Sequence, residues 1–214
     1  MRIPPESLRF LSELDAATLY EASGLQGMVD PQIRPMWPGA RICGVAMTVS
    51  CPSRDNLMLH HAVAQAKPGV VLVANAERCQ SAGAWGEVLT VAAQARGITG
   101  LVLDGAVRDI EAIAVHSFPV FARGLAIGAC KKEKFGKLDE PVDLGGVTVR
   151  SGDVVVGTAD GLVVLAQESV EVVLQTAIAR RDREQEIFRQ LATGRTTVEI
   201  LGLPRLRLAG RSSE

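Results

Sequence analysis

An excess of charge of one sign, long apolar runs and paired cysteines are all missing from this sequence of 214 residues. The formal net charge is −1, and Lys and Arg are scattered apart from a cluster at 131–137, so nucleic acid is not an expected partner. No stretch approaches the roughly 20 apolar residues that a membrane helix needs, and the first residues lack the apolar core of a signal peptide. We therefore expect a cytoplasmic protein that does not enter a membrane.

Aromatic residues are also scarce, at 4% of the chain, whereas Ala, Val, Leu and Gly are abundant. This composition is typical of tightly packed α/β layers rather than of a disulfide scaffold or a disordered chain. The length suits one core, so we predict a single domain over residues 1–214. Four cysteines without C-x-x-C or metal-type spacing are expected to be reduced thiols. They are Cys43, Cys51, Cys79 and Cys130.

Apolar periodicity and turn residues predict a mixed sheet flanked by helices. The predicted helices cover residues 7–23 (one helix or a pair), 56–66, 82–95, 108–115 and 170–191. The predicted strands cover residues 42–49, 70–74 and 100–103, with Asp104 and Gly105 in a turn after the last. From residue 142 onward, short β-rich runs between turns predict antiparallel hairpins. The runs 70–74 and 100–103 are wholly apolar, which is typical of central strands covered on both faces.

Charged residues follow both of these buried runs. In open α/β sheets ligands gather at the carboxyl ends of the strands, so the two following loops are the first candidates for a site. The first loop ends at residues 86–89, where the free amides of a helix start favour an anion. Glu87 stands there, and Arg108 and Asp109 follow after twenty intervening residues. An adjacent Arg-Asp pair alone is more often an ion pair or a helix cap, but its combination with the amides of a glycine-rich loop and with Glu87 indicates a site.

On these residues the chain resembles the 4-hydroxy-4-methyl-2-oxoglutarate / 4-carboxy-4-hydroxy-2-oxoadipate aldolases and their RraA-like relatives. The resemblance covers about residues 15–170 and includes an acidic residue, twenty residues and then Arg-Asp. Its other motifs lie at 38–44, 55–57, 85–87, 104–105, 118–124, 141–147, 151–154 and 160–161. It implies an αββα sandwich of the phosphohistidine-domain type, with a mixed central sheet and C-terminal hairpins. It also implies a homotrimer or a dimer of trimers, with Mg²⁺ or Mn²⁺ as cofactor.

The resemblance further implies roles for individual residues. Arg108 would contact pyruvate, Asp109 would ligate the metal directly, and Glu87 would reach the metal through water. The expected catalytic set is thus Arg108, Glu87 and Asp109. Backbone amides of Gly86, Val88 and Leu89 are expected to hold the pyruvate carboxylate. Glu184 of a neighbouring subunit, or Glu186 as second choice, would complete the site, so residues 168–214 are expected at a subunit interface.

Retro-aldol cleavage of a 4-hydroxy-2-oxo acid makes chemical sense of these residue types. The electron pair left on the pyruvate half is an enolate, whose charge must meet fixed positive charge. A guanidinium supplies forked donors, and Mg²⁺ is usually held by one or two carboxylates and water. No lysine in the apolar runs is expected to be buried enough to form a Schiff base, so a metal route is favoured over an imine route. The resemblance also implies oxaloacetate decarboxylation, which passes through the same enolate.

Several alternatives stay open at this stage. RraA-type relatives that bind and inhibit a ribonuclease share the fold, so a non-catalytic regulator is the competing function. No G-x-G-x-x-G follows a strand, which argues against a nucleotide-binding methyltransferase. His60 and His61 are interpreted as surface or packing residues. Asp55 and Asn56 form a helix cap or line the pocket, and Arg123 forms an interface ion pair or contacts substrate.

Overall fold

The computed structural model describes residues 3–204 and 206, which divide between Ala177 and Ile178 into two compact units. The helices are α1 (Pro5–Ser12), α2 (Ala16–Ala22), α3 (Leu57–Gln65), α4 (Glu87–Ala95), α5 (Ile110–Val115), α6 (Val170–Ala192) and α7 (Thr197–Ile200). The strands are β1 (Arg34–Pro35), β2 (Ile42–Ser50), β3 (Val70–Asn75), β4 (Gly83–Trp85), β5 (Gly100–Val107), β6 (Val120–Leu125), β7 (Lys137–Leu138), β8 (Val142–Leu144), β9 (Val147–Val149), β10 (Val154–Thr158) and β11 (Gly161–Leu165). The predicted N-terminal helix pair and closing helix are confirmed.

Nine of the described strands form one mixed sheet. Its main path is β1-β6-β5-β3-β2-β10-β11, with β4 paired to β5 and β7 paired to β2. Strands β2, β3, β5 and β6 are parallel, whereas β10 and β11 form an antiparallel hairpin that adds to β2. The separate β8–β9 pair is a second hairpin. This architecture confirms the expected α/β fold with a mixed sheet and C-terminal hairpins.

Strand β3 lies at the centre of the sheet, between β5 and β2, and its side chains enter two cores. Leu72 packs on the helical face in a cluster that includes Leu59 of α3 and Leu89 of α4. Its neighbour Val71 belongs to the opposite cluster, with Leu144 of β8. Successive side chains of a strand point to opposite faces, and each buried side chain of this kind stabilises the fold by about 1.5–3 kcal/mol. The two-sided burial confirms the prediction that this strand is central.

Strand β5 is longer than the sequence predicts. It continues to Val107, so Asp104 and Gly105 lie inside the strand, and their assignment to a turn is wrong. Asp104 is fully buried there, and the cost of burying its charge is offset because both carboxylate oxygens have partners. Oδ1 accepts a hydrogen bond from Nε of Arg123 on β6, and Oδ2 accepts one from the amide of Gly145 at 3.0 Å.

The start of the following helix also differs from the prediction. Residues 83–85, expected at the beginning of a helix, form β4 parallel to β5, and α4 begins only at Glu87. The amide of Arg108 donates to the carbonyl of Trp85 at 2.8 Å, which holds the two strand ends together. The segments after β4 and β5 therefore emerge side by side.

Two smaller expectations can be compared with the structure. All four cysteines are free thiols, as predicted. Within residues 3–204 and 206, none of the helices has the length and apolar character required to cross a bilayer.

Candidate functional site

A cavity of about 170 Å³ lies where β4 and β5 end. Because these strands are adjacent and parallel, their carboxyl ends deliver the following segments to one place. Arg108 and Asp109, both predicted as site residues, line this cavity. The lining residues are Asn56, His60, Gly83, Ala84, Trp85, Gly86, Val88, Leu89, Arg108, Asp109, Ala129, Cys130 and Lys132.

The carboxylate of Asp109 is fixed by its own backbone and by α4. Asp109 adopts the left-handed conformation, with φ of 57°, at the position before α5. Its Oδ2 accepts a hydrogen bond from the amide of Glu87 at 3.1 Å and lies 3.7 Å from Nε of Arg108. Gly86 allows this approach, because a Cβ at that position would overlap Asp109 Oδ2. The glycine is thus required by the position of the carboxylate.

The first turn of α4 presents backbone amides to the same cavity. The amide of Thr90 is the first to bond back within the helix, to the carbonyl of Gly86 at 3.1 Å. The amides of Val88 and Leu89 precede it, so they have no acceptor within the helix. Gly86, at the N-cap, has no side chain that could satisfy them. The positive end of the helix dipole and the unpaired amides together favour a carboxylate in this position.

Arg108 lies between two cavities. Its side chain is 45% exposed, and its contact with Asp109 is long, so the guanidinium is available to an anionic ligand. Arg108 and Asp109 also line a second cavity of about 560 Å³ on their other side. The wall of that second cavity includes the exposed apolar side chains of Leu125 and Ile127.

Glu87 reaches the site through its backbone rather than its carboxylate. Its amide holds Asp109, whereas its Oε1 lies 3.2 Å from Nε2 of His116, at the end of α5. The Glu87 side chain is 52% exposed, and Glu87 is absent from the residues that line either cavity beside Arg108. The structure therefore brings Arg108 and Asp109 together and leaves the Glu87 carboxylate beside them, on His116.

The opposite wall comes from residues that sequence analysis did not assign to the site. It includes His60 of α3, together with Cys130 and Lys132 from the segment after β6. Burial, and secondly the charge of Lys132, lower the pKa of His60, so its imidazole is neutral at pH 7. His60 was interpreted as a surface or packing residue, and the structure places it on the cavity wall instead. The lysine cluster was the only sequence signal for Lys132, and His60 had none.

Asn56 combines burial with an unsatisfied oxygen. It precedes α3, is 8% exposed and lines the cavity. Its Nδ2 donates to the carbonyl of Ala84 at 2.8 Å, whereas its buried Oδ1 accepts no hydrogen bond from the described part of the chain. Leaving a buried acceptor unpaired costs about 1–3 kcal/mol. Of the two interpretations of this residue, the structure supports a position in the pocket wall.

Asp55 caps α3 and fastens the loop that carries Lys132. Its Oδ1 accepts the amide of Leu57 at 3.0 Å, and its Oδ2 accepts the amides of Glu133 and Lys134 at 2.9 and 3.1 Å. Burial acts to raise the pKa of Asp55, but these three amides outweigh it and lower the pKa. Asn56, not Asp55, occupies the N-cap position, but the Asp55 carboxylate accepts a first-turn amide of α3 as predicted and also ties the loop to this helix.

Arg123 lies in the interior and away from both cavities beside Arg108. Its side chain is 2% exposed, with Nε donating to Asp104 and Nη1 donating to Asp30 at 2.8 Å and to Gln32 at 2.9 Å. The hydrogen bond to Asp104, followed by that to Asp30, raises the pKa of Arg123 despite its burial. Within this chain, Arg123 is therefore part of a buried ion-pair network.

The oxygen donors at the cavity fit a hard divalent cation. Across residues 3–204 and 206 there is no group of three or more His, Cys, Asp or Glu side chains suited to a metal, which is the arrangement of most zinc sites. Mg²⁺ differs, because one or two carboxylates and several waters usually hold it. Asp109 provides one such carboxylate, and the unpaired Oδ1 of Asn56 provides a further oxygen acceptor on the same cavity.

Glu184 and Glu186 lie on α6 in the second unit. Oε1 of Glu184 is 3.2 Å from Nε of Arg180, and Oε2 of Glu186 is 3.1 Å from Nη1 of Arg189. Both are exposed or partly exposed pairs of the kind that stabilise an isolated helix weakly. The assignment of either glutamate to a neighbouring subunit's site stays a prediction.

Comparison with known proteins identifies relatives over most of the chain. The profile of the family described as RraA-like, Aldolase/RraA, matches residues 14–164. A protein of Halalkalibacterium halodurans, provisionally named a 4-hydroxy-4-methyl-2-oxoglutarate aldolase, is 40% identical over 145 residues, which is 68% of this chain and 69% of that protein. Two further relatives are matched over 57% and 32% of their own length.

Solved structures show the same fold. An uncharacterized protein from Pseudomonas syringae superimposes with a TM-score of 0.84 at 29% identity and covers 92% of both chains. Streptomyces coelicolor RraAS2, described as an unusual member of the RNase ES inhibitor RraA family, gives a TM-score of 0.79 at 25% identity. That match covers 88% of this chain and 100% of RraAS2. Since the family profile spans well over half of the sequence and the fold agrees with these structures, the chain belongs to the RraA-like (Aldolase/RraA) family.

Proposed function

We propose that this protein is a divalent-metal-dependent lyase that cleaves a 4-hydroxy-2-oxo di- or tricarboxylic acid to pyruvate and a second oxo acid. Oxaloacetate decarboxylation is proposed as a side activity. The supporting observation is that Arg108, Asp109 and the free first-turn amides of α4 line one small cavity. The provisional name of the relative that is 40% identical agrees with this reaction. Membership of the family is not sufficient by itself, because regulators share the fold.

Binding begins with the carboxylate of the substrate's pyruvate half. The amides of Val88 and Leu89 donate to it, because they have no acceptor within α4. A cavity of about 170 Å³ suits a short acid and leaves the rest of the substrate at the cavity mouth. Lys132, on the opposite wall, provides a second positive charge for a distal carboxylate.

Cleavage breaks the C3–C4 bond. Its electron pair moves onto the 2-oxo group to give the enolate, while the C4 hydroxyl loses its proton and becomes a carbonyl. Arg108 donates to the developing oxyanion with a guanidinium that no strong internal ion pair occupies. Protonation of C3 then gives pyruvate, and no electrons are gained or lost overall.

Asp109 would hold the cation, and Glu87 would move protons. Mg²⁺ or Mn²⁺, when bound, supplies positive charge that polarises the 2-oxo group. The backbone bond from Glu87 keeps Asp109 oriented before any ligand arrives. The Glu87 carboxylate is half exposed and has His116 as its hydrogen-bond partner, so it can turn toward the cavity mouth to accept the hydroxyl proton and return one to C3.

The test is pyruvate release from a panel of 4-hydroxy-2-oxo acids and from oxaloacetate, with and without Mg²⁺. We expect Arg108→Ala to lower kcat/KM at least 100-fold, because the oxyanion loses a charged hydrogen-bond donor. Arg150→Ala, which removes an exposed arginine outside the cavity lining, is the matched control and should retain normal turnover. Normal turnover by Arg108→Ala would exclude the assigned role.

We further propose that the working form is a homotrimer or a dimer of trimers, in which Glu184 of a neighbour completes the site. The exposed apolar side chains of Val88, Leu125 and Ile127, which border the two cavities, support a subunit contact there. Mixing inactive Arg108→Ala and inactive Glu184→Gln subunits should restore part of the activity, because mixed oligomers contain intact sites. Absence of restoration in verified mixed oligomers would contradict a shared site.

A ribonuclease-binding regulator is the second candidate. It is favoured by the likeness to RraAS2, whose description names an RNase ES inhibitor family. Retention of Arg108 and Asp109 at one cavity supports the enzyme instead. Specific recovery of a ribonuclease on the immobilised protein, together with no pyruvate release from any substrate, would decide for the regulator.

A further inference from the structure

The unpaired oxygen of Asn56 has a fixed orientation. The bond from Nδ2 to the carbonyl of Ala84, at 2.8 Å, excludes an exchange of the amide's oxygen and nitrogen, since a carbonyl can only accept. Oδ1 is thereby held as an acceptor without a donor in a residue that lines the cavity. An unsatisfied buried group of this kind is uncommon and indicates an absent water, ion or ligand.

The partner of Asn56 must be a hydrogen-bond donor. Arg108 and Lys132 are donors on the same cavity, but neither lies within hydrogen-bond distance of Oδ1, and a 2-oxo acid contributes mainly acceptors. The waters around a divalent cation are strong donors, and Mg²⁺ keeps several of them when it binds to protein. A hydrated cation therefore matches the acceptors Asn56 and Asp109, whereas the carboxylate and oxo groups of the substrate match the donors.

Asn56 and Asp109 are both fixed against one short extended segment. Nδ2 of Asn56 donates to the carbonyl of Ala84, and a Cβ on Gly86, two residues further on, would overlap Oδ2 of Asp109. Both residues line the same cavity of about 170 Å³.

We propose that Asn56 is a positioning residue for the divalent cation: its Oδ1 accepts a hydrogen bond from a water of the hydration shell of an ion held by Asp109. The inference rests on the metal dependence in the proposed function. Outer partners of this kind typically change metal affinity 10–100-fold when removed. Asn56 thus contributes to cation affinity without contacting the cation itself.

The experiment is titration of the full-length, substrate-free protein with Mn²⁺, with free Mn²⁺ measured by electron paramagnetic resonance. Asn56→Leu should raise the Kd for Mn²⁺ about 10-fold or more, by analogy with other outer partners. Asn56→Asp keeps an oxygen acceptor, so its Kd for Mn²⁺ should be no higher than that of the wild type. Asn75→Leu is the matched control, because Asn75 donates to the Asp143 carbonyl at 2.8 Å away from the cavity, and its Kd should be unchanged.

The outcomes separate this inference from the proposed function. Loss of Mn²⁺ binding in Asp109→Asn with a Kd in Asn56→Leu within twofold of wild type would overturn the role of Asn56 alone. A wild-type protein that binds no Mn²⁺ would overturn both the inference and the metal dependence. If Asn56→Leu fails to fold, Asn56→Asp decides: a Kd raised 10-fold despite the retained acceptor would also overturn the inference.

Discussion

Replacement of Gly86 by alanine tests whether the position of the Asp109 carboxylate controls activity. The glycine has an extended backbone, with φ of −157°, that alanine adopts without strain, so the added methyl group acts only through contact. The methyl carbon would overlap Asp109 Oδ2 and approach Cγ of Arg108 to 3.2 Å. Asp109 cannot yield easily, because its left-handed backbone and the amide of Glu87 hold it. The carboxylate must shift by roughly 1 Å, and a misplacement of that size can lower a rate about 100-fold.

The assay is kcat/KM for pyruvate release from a 4-hydroxy-2-oxo acid, measured beside the thermal unfolding midpoint. Gly124→Ala is the matched control, since a Cβ there meets no atom within 4 Å and the substitution should be silent. We expect Gly86→Ala to remain folded, because the contact lies at a half-exposed carboxylate rather than in the core. A Gly86→Ala enzyme with activity within threefold of wild type would show that the Asp109 position is not critical.

Three further predictions concern other parts of the chain. Arg123→Met should lower the free energy of unfolding in urea by about 3–5 kcal/mol, because the buried Asp104 loses its close charged partner and keeps only the exposed Arg78 at 3.8 Å; a loss below 1 kcal/mol would contradict this. Burial acts to raise the pKa of Cys79, but hydrogen bonds from Ser81 and its neighbours lower it to about 7, so its alkylation by iodoacetamide should rise through pH 7. Burial raises the pKa of Cys43 to about 12, so iodoacetamide should not label it over the same pH range, as measured by mass spectrometry. Equal labelling of the two cysteines would refute the difference. EDTA should abolish pyruvate release and added Mg²⁺ should restore it, whereas full activity in EDTA would exclude a metal-dependent route.

The parts of the fold that depend on local pattern were predictable. The apolar run of β3 indicated a strand buried on both faces, and Val71 and Leu72 enter opposite cores as that pattern requires. Asp104 was misassigned because an Asp-Gly pair is a strong turn signal. Its burial within β5 depends on Arg123, 19 residues away, and on Gly145, 41 residues away, which no local pattern relates to it.

The candidate site likewise contains residues that the sequence could predict and residues that it could not. Arg108, Asp109 and residues 86–89 were placed in the loops after two strands predicted to be neighbours, at 70–74 and 100–103, so their convergence was expected. Strand β4, which directly precedes Gly86 and pairs with β5, was not predicted. The carboxylate of Glu87 could not be placed, because its contact with His116 depends on how α4 packs against α5. Asn56 and His60 come from another helix, and their chemical importance depends on burial and on a missing partner, which only three-dimensional structure reveals.

The bond network of Asp55 has a consequence for how this protein can be changed. It attaches residues 133 and 134 to the start of α3, whereas Arg108 and Asp109 are carried by β5 and held by α4. The part of the cavity wall that contains Lys132 is thus fastened by hydrogen bonds other than the one that orients Asp109. If the protein is the proposed lyase, substitutions at residues 129, 130 and 132 should change which acids fit the cavity while Arg108 and Asp109 keep their positions.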